Sequence, residues 1–516
     1  MSKWFCLKNN SKNANTSSSD SIISSSLASE LDKLNLTKER LKRYASEANA
    51  LFSNTTLTNT EDELEIKAKS LREEAIFKKL NNIELSMEVD LCFVLDCTKS
   101  MKPDISAAKD CILRVFNYVK QLNPSIKLRV GFCGYRDHNN ESDRLQGMQN
   151  VIPFRSRNND TPEDVLGGLN AAITQMDWKN NTRVLLHICD FPPHGHRFSD
   201  LKDNYPDGNP YGLTAEIFDL VGDDPIKLIE KFVKATPSSI TYAVSLTSTH
   251  GSNFKEIYSL QRNKLDMNPN EPDWSTLSLN NGEVLWFHIP KSLDELKNSI
   301  YFNKSNLFCK SLSIKIAPQP FSAGAEKCAY FALDVKNDAA NEMVIKEYLH
   351  GAKQSNSIEK YLEAVEIPIV ANFLSKQFNY IAGRKKIPKV NFLTVKLLRC
   401  NTNDCTQYYT IEQRLKNAVY KRFNTNTGVI TELRHTLEAF VHFTYEYTKG
   451  YLVICDLQGI ELNNEFLLTD PAIHCIDPLR FGSTNFGENG IKQLFLANHR
   501  CNDICKKLKL SHINNE

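Results

Sequence analysis

No stretch of this chain approaches the roughly 18 consecutive apolar residues that a membrane-crossing helix needs. The opening MSKWFCLKNNSKN has no apolar core of the kind a secretion signal carries, so neither export nor a membrane span is expected. An excess of one charge is missing too. The 63 Lys and Arg stand against 61 Asp and Glu, which removes any general attraction to nucleic acid or anionic lipid. Several common enzyme motifs are also missing: there is no G-x-G-x-x-G after a strand, no G-x-x-x-x-G-K-[ST], no H-R-D, no D-F-G and no G-x-S-x-G. Their absence excludes a P-loop, the ordinary protein-kinase set and a nucleophile elbow. Cysteine, by contrast, is plentiful. The 14 cysteines are scattered through apparent strands (DLCFVLD, GFCGY, HICD, LVICD) rather than set in a disulfide framework. Buried free thiols in a reducing compartment fit that distribution, and a cytoplasmic location is expected.

At 516 residues the chain is too long for a single core and points to two or three domains. Residues 1–26 are Ser/Asn-rich and bury too little apolar surface to offset ordering entropy, so disorder is expected there. Residues 27–85 form an expected helical lead-in, with Leu27, Leu31, Leu34, Leu41 and Leu51 near helical spacing, then Leu64, Leu71 and Ala75 after the polar break NTTLTNTED. Its apolar face is expected to pack on the next domain. Over 86–303 strands and helices alternate, as in a mostly parallel sheet flanked by helices. Residues 306–516 read as an α+β domain with its own core.

The segment DCTKSM begins where the strand DLCFVL ends, at the carboxyl edge where open α/β sheets bind ligands. Asp96, Thr98 and Ser100 offer one carboxylate and two hydroxyls at alternate positions, a hard-oxygen set suited to Mg²⁺ or Mn²⁺. Thr161 and Asp190 follow or end later elements on the same edge and could complete the shell. An ordinary capped strand-to-helix turn is the other reading. The pattern resembles the von Willebrand factor A domain with its metal-ion-dependent adhesion site, over roughly residues 88–303, although Lys99 places a cation inside the loop.

The C-terminal third carries another constellation: EMVIKEYL, YLVICDLQG, LLTDP, FGSTNFGENG and HRCNDIC. Together these resemble the α-kinase family of atypical protein kinases, and the preceding A-like domain resembles its von Willebrand factor A branch. The implied fold is a doubly wound A-domain sheet followed by a two-lobed α-kinase domain. By that resemblance Lys346 neutralises ATP phosphates, Asp456 accepts or positions the substrate hydroxyl proton, and Gln458 with Asp470 holds Mg²⁺. Gln458 shares a face with Asp456 if the chain stays extended between them. Glu412 matches the connection between lobes that meets adenine, Lys327 stands in the nucleotide-covering strand pair where an arginine is usual, and Asn424 and Asn426 match a polar family segment. A lysine keeps the charge and loses the bidentate fork. The loop 481–490, with Gly482, Gly487, Gly490 and Asn485, is assigned to peptide or nucleotide handling.

Near the end of the chain, Cys501 and Cys505 stand four apart, so on a helix both thiols face one way with His499 just before them. The resemblance supplies His442 as a fourth ligand and implies a structural Zn²⁺ site of Cys₂His₂ composition, with His435 and His474 as competing histidines. The glutamate paired with Lys346 is expected on the helix YLEAVEIPIVANFLSKQFN, as Glu363 or Glu366, and Pro368 is expected to kink or end that helix. The expected function is ATP-dependent serine/threonine phosphorylation of proteins, helical or coiled-coil ones such as myosin tails among them, with the A domain as a metal-dependent docking module. The alternative is a kinase-like scaffold of little turnover whose A domain binds partners.

Overall fold

The computed structural model describes residues 61–97, 104–135, 165–188, 240, 243–244, 266–323, 326–335, 341–349, 357–401, 406–416 and 418–513. The Ser/Asn-rich start and the first leucine stretch lie outside these residues. Helix α1 (Glu61–Ser86) buries Ala68, Arg72, Ile76, Leu80 and Ile83, a stripe at steps of three and four along one helical face. Leu71 and Ala75 flank that stripe half-buried. The stripe packs on β1 (Glu88–Asp96), whose register is parallel to both β2 (Lys127–Tyr135) and β3 (Thr182–Ile188), giving the order β2-β1-β3. Eight of the nine β1 residues are buried, as expected of a central parallel strand covered on both faces. Helix α2 (Asp104–Leu122) and helix α3 (Val165–Gln175) are the flanking helices; Val115 and Val119 of α2 are buried in the core. Asp96 ends β1 and is buried. Thr98, Ser100, Thr161 and Asp190 lie outside the described residues.

The alternation read across 86–303 breaks before its expected end. Strand β4 (Asn280–Trp286), which contains VLW of the VLWFHI segment, is antiparallel to β5 (Phe308–Ile316) on one side and to β10 (Lys396–Asn401) on the other. The short helix α4 (Leu293–Lys297) follows β4, and Leu285, Phe287, Leu296 and Phe302 join the core of the C-terminal unit. A strand followed by a helix has the same local pattern in either domain; only its cross-strand partner distinguishes them. The C-terminal unit therefore takes in residues 280–303.

Strands β6 (Ser322–Ala323), β7 (Lys327–Asp334), β8 (Asn341–Tyr348) and β11 (Thr406–Gln413) complete a seven-stranded antiparallel sheet in the order β5-β4-β10-β11-β8-β7-β6. An extra pairing of β5 with β7 curls this sheet back on itself. Helix α5 (Ile358–Gly383) packs beside it and runs unbroken through Pro368. Tertiary burial on both sides of the proline, from Tyr361 to Ala382, outweighs the loss of one backbone hydrogen bond. The second lobe contains a four-stranded sheet, β12-β14-β15-β9, built from β9 (Lys389–Phe392), β12 (Tyr420–Arg422), β14 (Gln458–Leu462) and β15 (Glu465–Thr469). It also contains helix α6 (His435–Tyr447), the ladder of β13 (Leu452–Cys455) with β16 (Ala472–Cys475), a π-helical segment Gly490–Leu496 and helix α7 (Asp503–Leu508).

A buried ion pair ties the parts together. Arg480, 1% exposed, donates from Nε to Glu366 at 2.7 Å, from Nη1 to the Tyr451 hydroxyl at 3.1 Å and from Nη2 to the Leu296 carbonyl at 2.7 Å. Each partner satisfies a charge that would cost about 3–5 kcal/mol if left alone in this core. Glu366 is thus committed to Arg480 rather than to Lys346. Among the described residues no helix is long and apolar enough to cross a membrane.

Candidate active site and metal centre

The curled sheet presents two ammonium groups on one face. Alternation along β8 buries Ile345 in the sheet's own cluster and turns Lys346 the other way. Register places Lys346 opposite Ala329 on β7 and Thr410 on β11, and Lys327 opposite Tyr348. The Lys346 ammonium lies 2.6 Å from Glu412 Oε1 and also pairs with Asp470 Oδ2. Burial disfavours its charge, but the carboxylates of Asp470 and Glu412 prevail and hold its pKa above the ordinary value. Glu412 lies within β11, not in a connection between lobes, and is the cross-strand partner that neither Glu363 nor Glu366 provides. Its second oxygen accepts a 2.7 Å hydrogen bond from the Thr469 hydroxyl. Lys327 stands 4.9 Å from the ring centre of Tyr348, with its pKa lowered by burial.

Two tight turns of the second lobe carry carboxylates, and that of Asp470 reaches Lys346 on this face. Asp456 follows β13 with φ +55°, and Asp470 follows β15 with φ +46°. Backbone in this region costs about 1–3 kcal/mol for a residue with a Cβ and persists where packing over-determines it, as at catalytic sites. The positive φ also breaks the extended path assumed between Asp456 and Gln458. Gln458 instead opens β14 and donates from Nε2 to the Asp470 carbonyl at 3.3 Å, so the two turns are tied to each other. Gly459 has φ +149°, and a Cβ there would lie 2.2 Å from the Leu467 carbonyl; this accounts for the glycine in CDLQG.

Arg422, on β12, donates from Nε and Nη2 to Asp456 Oδ1 at 2.7 and 2.5 Å. Burial pushes the Asp456 pKa up, and Arg422 restrains the rise. For Asp470 burial acts in the same sense, yet Lys346 and Lys327 outweigh it and the pKa falls below the usual carboxylate value. Asn424 accepts from the Leu457 amide at 2.8 Å and donates to Glu438 at 3.3 Å, bracing the Asp456 turn from behind. Burial lifts the Glu438 pKa to about 7. Asn426 is linked through its carbonyl to His474 Nε2, 2.8 Å away. Arg422 went unread in YKRFNTNTG, where only the asparagines were singled out; a basic residue in an alternating run was the available signal. Asn485, at the centre of loop 481–490, is fully buried and spends its amide on that loop, accepting from the Cys475 and Gly487 amides at 2.9 and 2.8 Å.

The second cluster assembles His442 from α6 with His499, Cys501 and Cys505. Their ligand atoms all lie within 4.8 Å of one another. Cys501 Sγ is 3.8 Å from His442 Nδ1, and Cys505 Sγ is 3.7 Å from His499 Nε2. A tetrahedral ion with Zn–S of about 2.3 Å and Zn–N of about 2.0 Å separates neighbouring ligands by about 3.3–3.8 Å, so these residues fit zinc closely. Cys501 precedes α7 instead of lying on it, because Asn502 caps the helix by accepting from the Ile504 and Cys505 amides. Burial raises the Cys505 thiol to about 11 and lowers His499 to about 3, so the apo cluster favours neutral ligands. His474 is held by Asn426 and the Phe486 amide, and His435 is the first residue of α6; neither belongs to the cluster.

Two ammonium groups on a curled antiparallel sheet, with Asp470 of a strained turn in the second lobe paired to Lys346 and Asp456 close to Asp470, make a charge arrangement suited to phosphates and divalent metal. Residues 322–505 match the sequence model of the Alpha-kinase family. The chain is 28% identical over 528 residues to Alpha-protein kinase vwkA of Dictyostelium discoideum, an alignment covering 88% of this chain and 82% of that protein. Myosin heavy chain kinase B of the same organism is 30% identical over 217 residues, covering 42% of this chain and only 28% of that relative. Among solved structures, an Alpha Kinase from Entamoeba histolytica is 26% identical with a TM-score of 0.40, across 48% of this chain and 96% of that one.

Proposed function

We propose that the chain is a protein kinase that transfers the γ-phosphoryl group of ATP to serine or threonine hydroxyls. The observation that carries this reading is the convergence of Lys346, Glu412 and Asp470 beside Asp456. Lys346 and Lys327 would neutralise the phosphates, with Glu412 fixing the Lys346 ammonium. Asp456 would take the proton of the attacking hydroxyl, oriented by Arg422 through Oδ1. Asp470 and Gln458 would hold Mg²⁺, which supplies further charge neutralisation on the phosphates. Zn²⁺ at His442, His499, Cys501 and Cys505 would fasten α7 to α6. Substrates with helical or coiled-coil segments, myosin heavy chains among them, are the proposed class, and the cytoplasm the proposed location. The scaffold alternative draws on a helix expected to break at Pro368 and on an undecided partner for Lys346; the unbroken α5 and the Lys346–Glu412 pair favour turnover.

The rate–pH profile tests the role of Asp456. It acts as a base only when ionised, so kcat/KM falls as pH drops through its pKa, which lies above the ordinary carboxylate value. Arg422→Ala removes a cation that favours the charged form, so the acid limb is expected to move to higher pH. An acid limb unmoved in an active variant would remove Asp456 from this role.

The parallel-sheet domain is proposed as a docking module of the von Willebrand A type, with Mg²⁺ or Mn²⁺ held by Asp96, Thr98, Ser100, Thr161 and Asp190. Asp96→Ala is expected to weaken capture of a partner by the full chain while phosphorylation of an unrelated peptide stays within about twofold of wild type. Equal loss of both would place Asp96 in general stability instead.

A further inference from the structure

The loop joining β16 to the π-helical segment is held from a helix some four hundred residues earlier in the chain. Arg72 of α1 is 8% exposed and donates from Nε to the Pro478 carbonyl at 3.3 Å. Its Nη2 reaches the carbonyls of Gly482 at 3.1 Å, Ser483 at 3.2 Å and Asn485 at 2.7 Å. Two turns further along α1, the Lys79 ammonium donates to the Ser483 carbonyl at 3.2 Å. Such a loop, with φ +64° at Phe481 and +74° at Gly482, turns several carbonyls outward with no ladder to receive them. A guanidinium offers five donors in a fixed fork and suits that array better than an ammonium does.

The other side of the same loop touches the sheet that carries the ammonium groups. The Ser483 hydroxyl donates to Glu326 Oε1 at 2.8 Å, and Glu326 immediately precedes Lys327 at the start of β7. The Glu326 carbonyl in turn accepts from the Leu349 amide at 2.9 Å, just past β8. Helix α1 is itself fixed by a mixed core: Ile76, Leu80 and Ile83 pack with β1 of the parallel sheet and with Val429, Phe486 and Leu494 of the second lobe. The contact continues at Asn123, whose side chain exchanges hydrogen bonds of 2.9 and 2.8 Å with the Ile430 backbone. Yet α1 lies outside the span 322–505 that matches the kinase family.

We infer that Arg72 is a positioning residue of the catalytic unit: α1 holds the 478–485 backbone in place and, through Ser483 and Glu326, sets the position of Lys327 at the nucleotide phosphates. The inference rests on the kinase reading for its last step and on the hydrogen bonds alone for the rest. Helix α1 thereby becomes the physical link by which a partner seated on the parallel-sheet domain can act on nucleotide affinity. Since Lys327 meets ATP in the ground state as well as during transfer, losing its placement weakens ATP binding more than it slows the chemical step.

The test uses the full chain and three variants, Arg72→Ala, Arg72→Lys and Lys79→Ala, with two readouts: backbone amide exchange over 478–487, and KM for ATP against kcat. Arg72→Ala is expected to speed exchange across the loop and to raise KM for ATP by about fivefold or more, with kcat at saturating ATP within about twofold. Arg72→Lys is expected to fall between, because one ammonium reaches fewer of the four carbonyls. Lys79→Ala is expected to shift both readouts in the same sense by a smaller amount, and it carries the comparison if Arg72→Ala does not fold. Unchanged loop exchange in the folded variants overturns the inference, as does a lower melting temperature with KM and kcat both unmoved. A wild-type chain that turns over no ATP defeats the kinase reading instead, while the exchange comparison still decides whether α1 holds the loop.

Discussion

Stripping the ion from the His442, His499, Cys501 and Cys505 cluster, by a strong chelator or by Cys505→Ser, is expected to lower stability by about 4 kcal/mol or more, a fall of about 10 °C in Tm for a unit of this size. Three of these ligands are buried and lie in or beside the main core, where Cys505 and Leu508 pack with Phe440, Phe443 and Phe495. Without a cation the cluster leaves two thiols and two imidazoles facing one another, and α7 has only six residues to hold it to α6. The purified chain should contain one zinc per molecule, and the variant should have lost both the metal and the protection of α7. A chain that is metal-free as isolated, yet melts at the same temperature with and without added zinc, rules the staple out.

Lys346→Ala should have the other large effect, on two properties at once. Phosphoryl transfer is expected to drop by about a thousandfold or more, because a fixed charge is lost where phosphate charge must be neutralised. Stability is expected to fall by about 3–5 kcal/mol, since Glu412 and Asp470 are left facing each other without the cation between them. The two losses can be separated. Adding Glu412→Gln to Lys346→Met removes one carboxylate and fills the space of the lysine stem, so thermal stability should recover most of the loss while transfer stays at background. If the double variant regains neither, the pair is embedded in a network larger than Lys346, Glu412 and Asp470; if Lys346→Ala retains more than a tenth of wild-type transfer, Lys346 is not the phosphate cation.

What the sequence could reveal was whatever depends on neighbours along the chain. Asp456 was visible because it ends a short apolar strand, where a carboxylate is costly unless it has a task, and Asp470 through the resemblance of LLTDP to the family. Of the candidate zinc ligands, His499, Cys501 and Cys505 were visible through spacing and His442 only through the family resemblance, and the helix expected to hold both thiols begins only after Cys501. What was not visible depends on register. Glu412 meets Lys346 because β11 pairs with β8 with Thr410 opposite Lys346, and nothing local to IEQ specifies that alignment. The helix was expected to supply a partner, but the burial that makes Glu366 conspicuous serves Arg480. Strand β4 was misplaced for the same reason: its alternation fits a parallel or an antiparallel neighbour, and β5 and β10 decide the matter from elsewhere. Pro368 misled in the opposite direction, since propensity at one residue yields to a helix buried along most of its length. Arg72 had no sequence signal at all. An arginine in a helix rich in Lys and Glu reads as a solvated charge until the loop it holds is seen.

Phosphoryl transfer at the Lys346–Asp456–Asp470 site is the central property of this chain to measure. The direct measurement is incorporation of the γ-phosphoryl group of labelled ATP into a generic basic protein with Mg²⁺, comparing the full chain with Lys346→Ala and identifying the phosphorylated residues. The expected result is label on serine or threonine that grows with time for the wild type and stays at background for the variant; equal, background-level incorporation by both would contradict it.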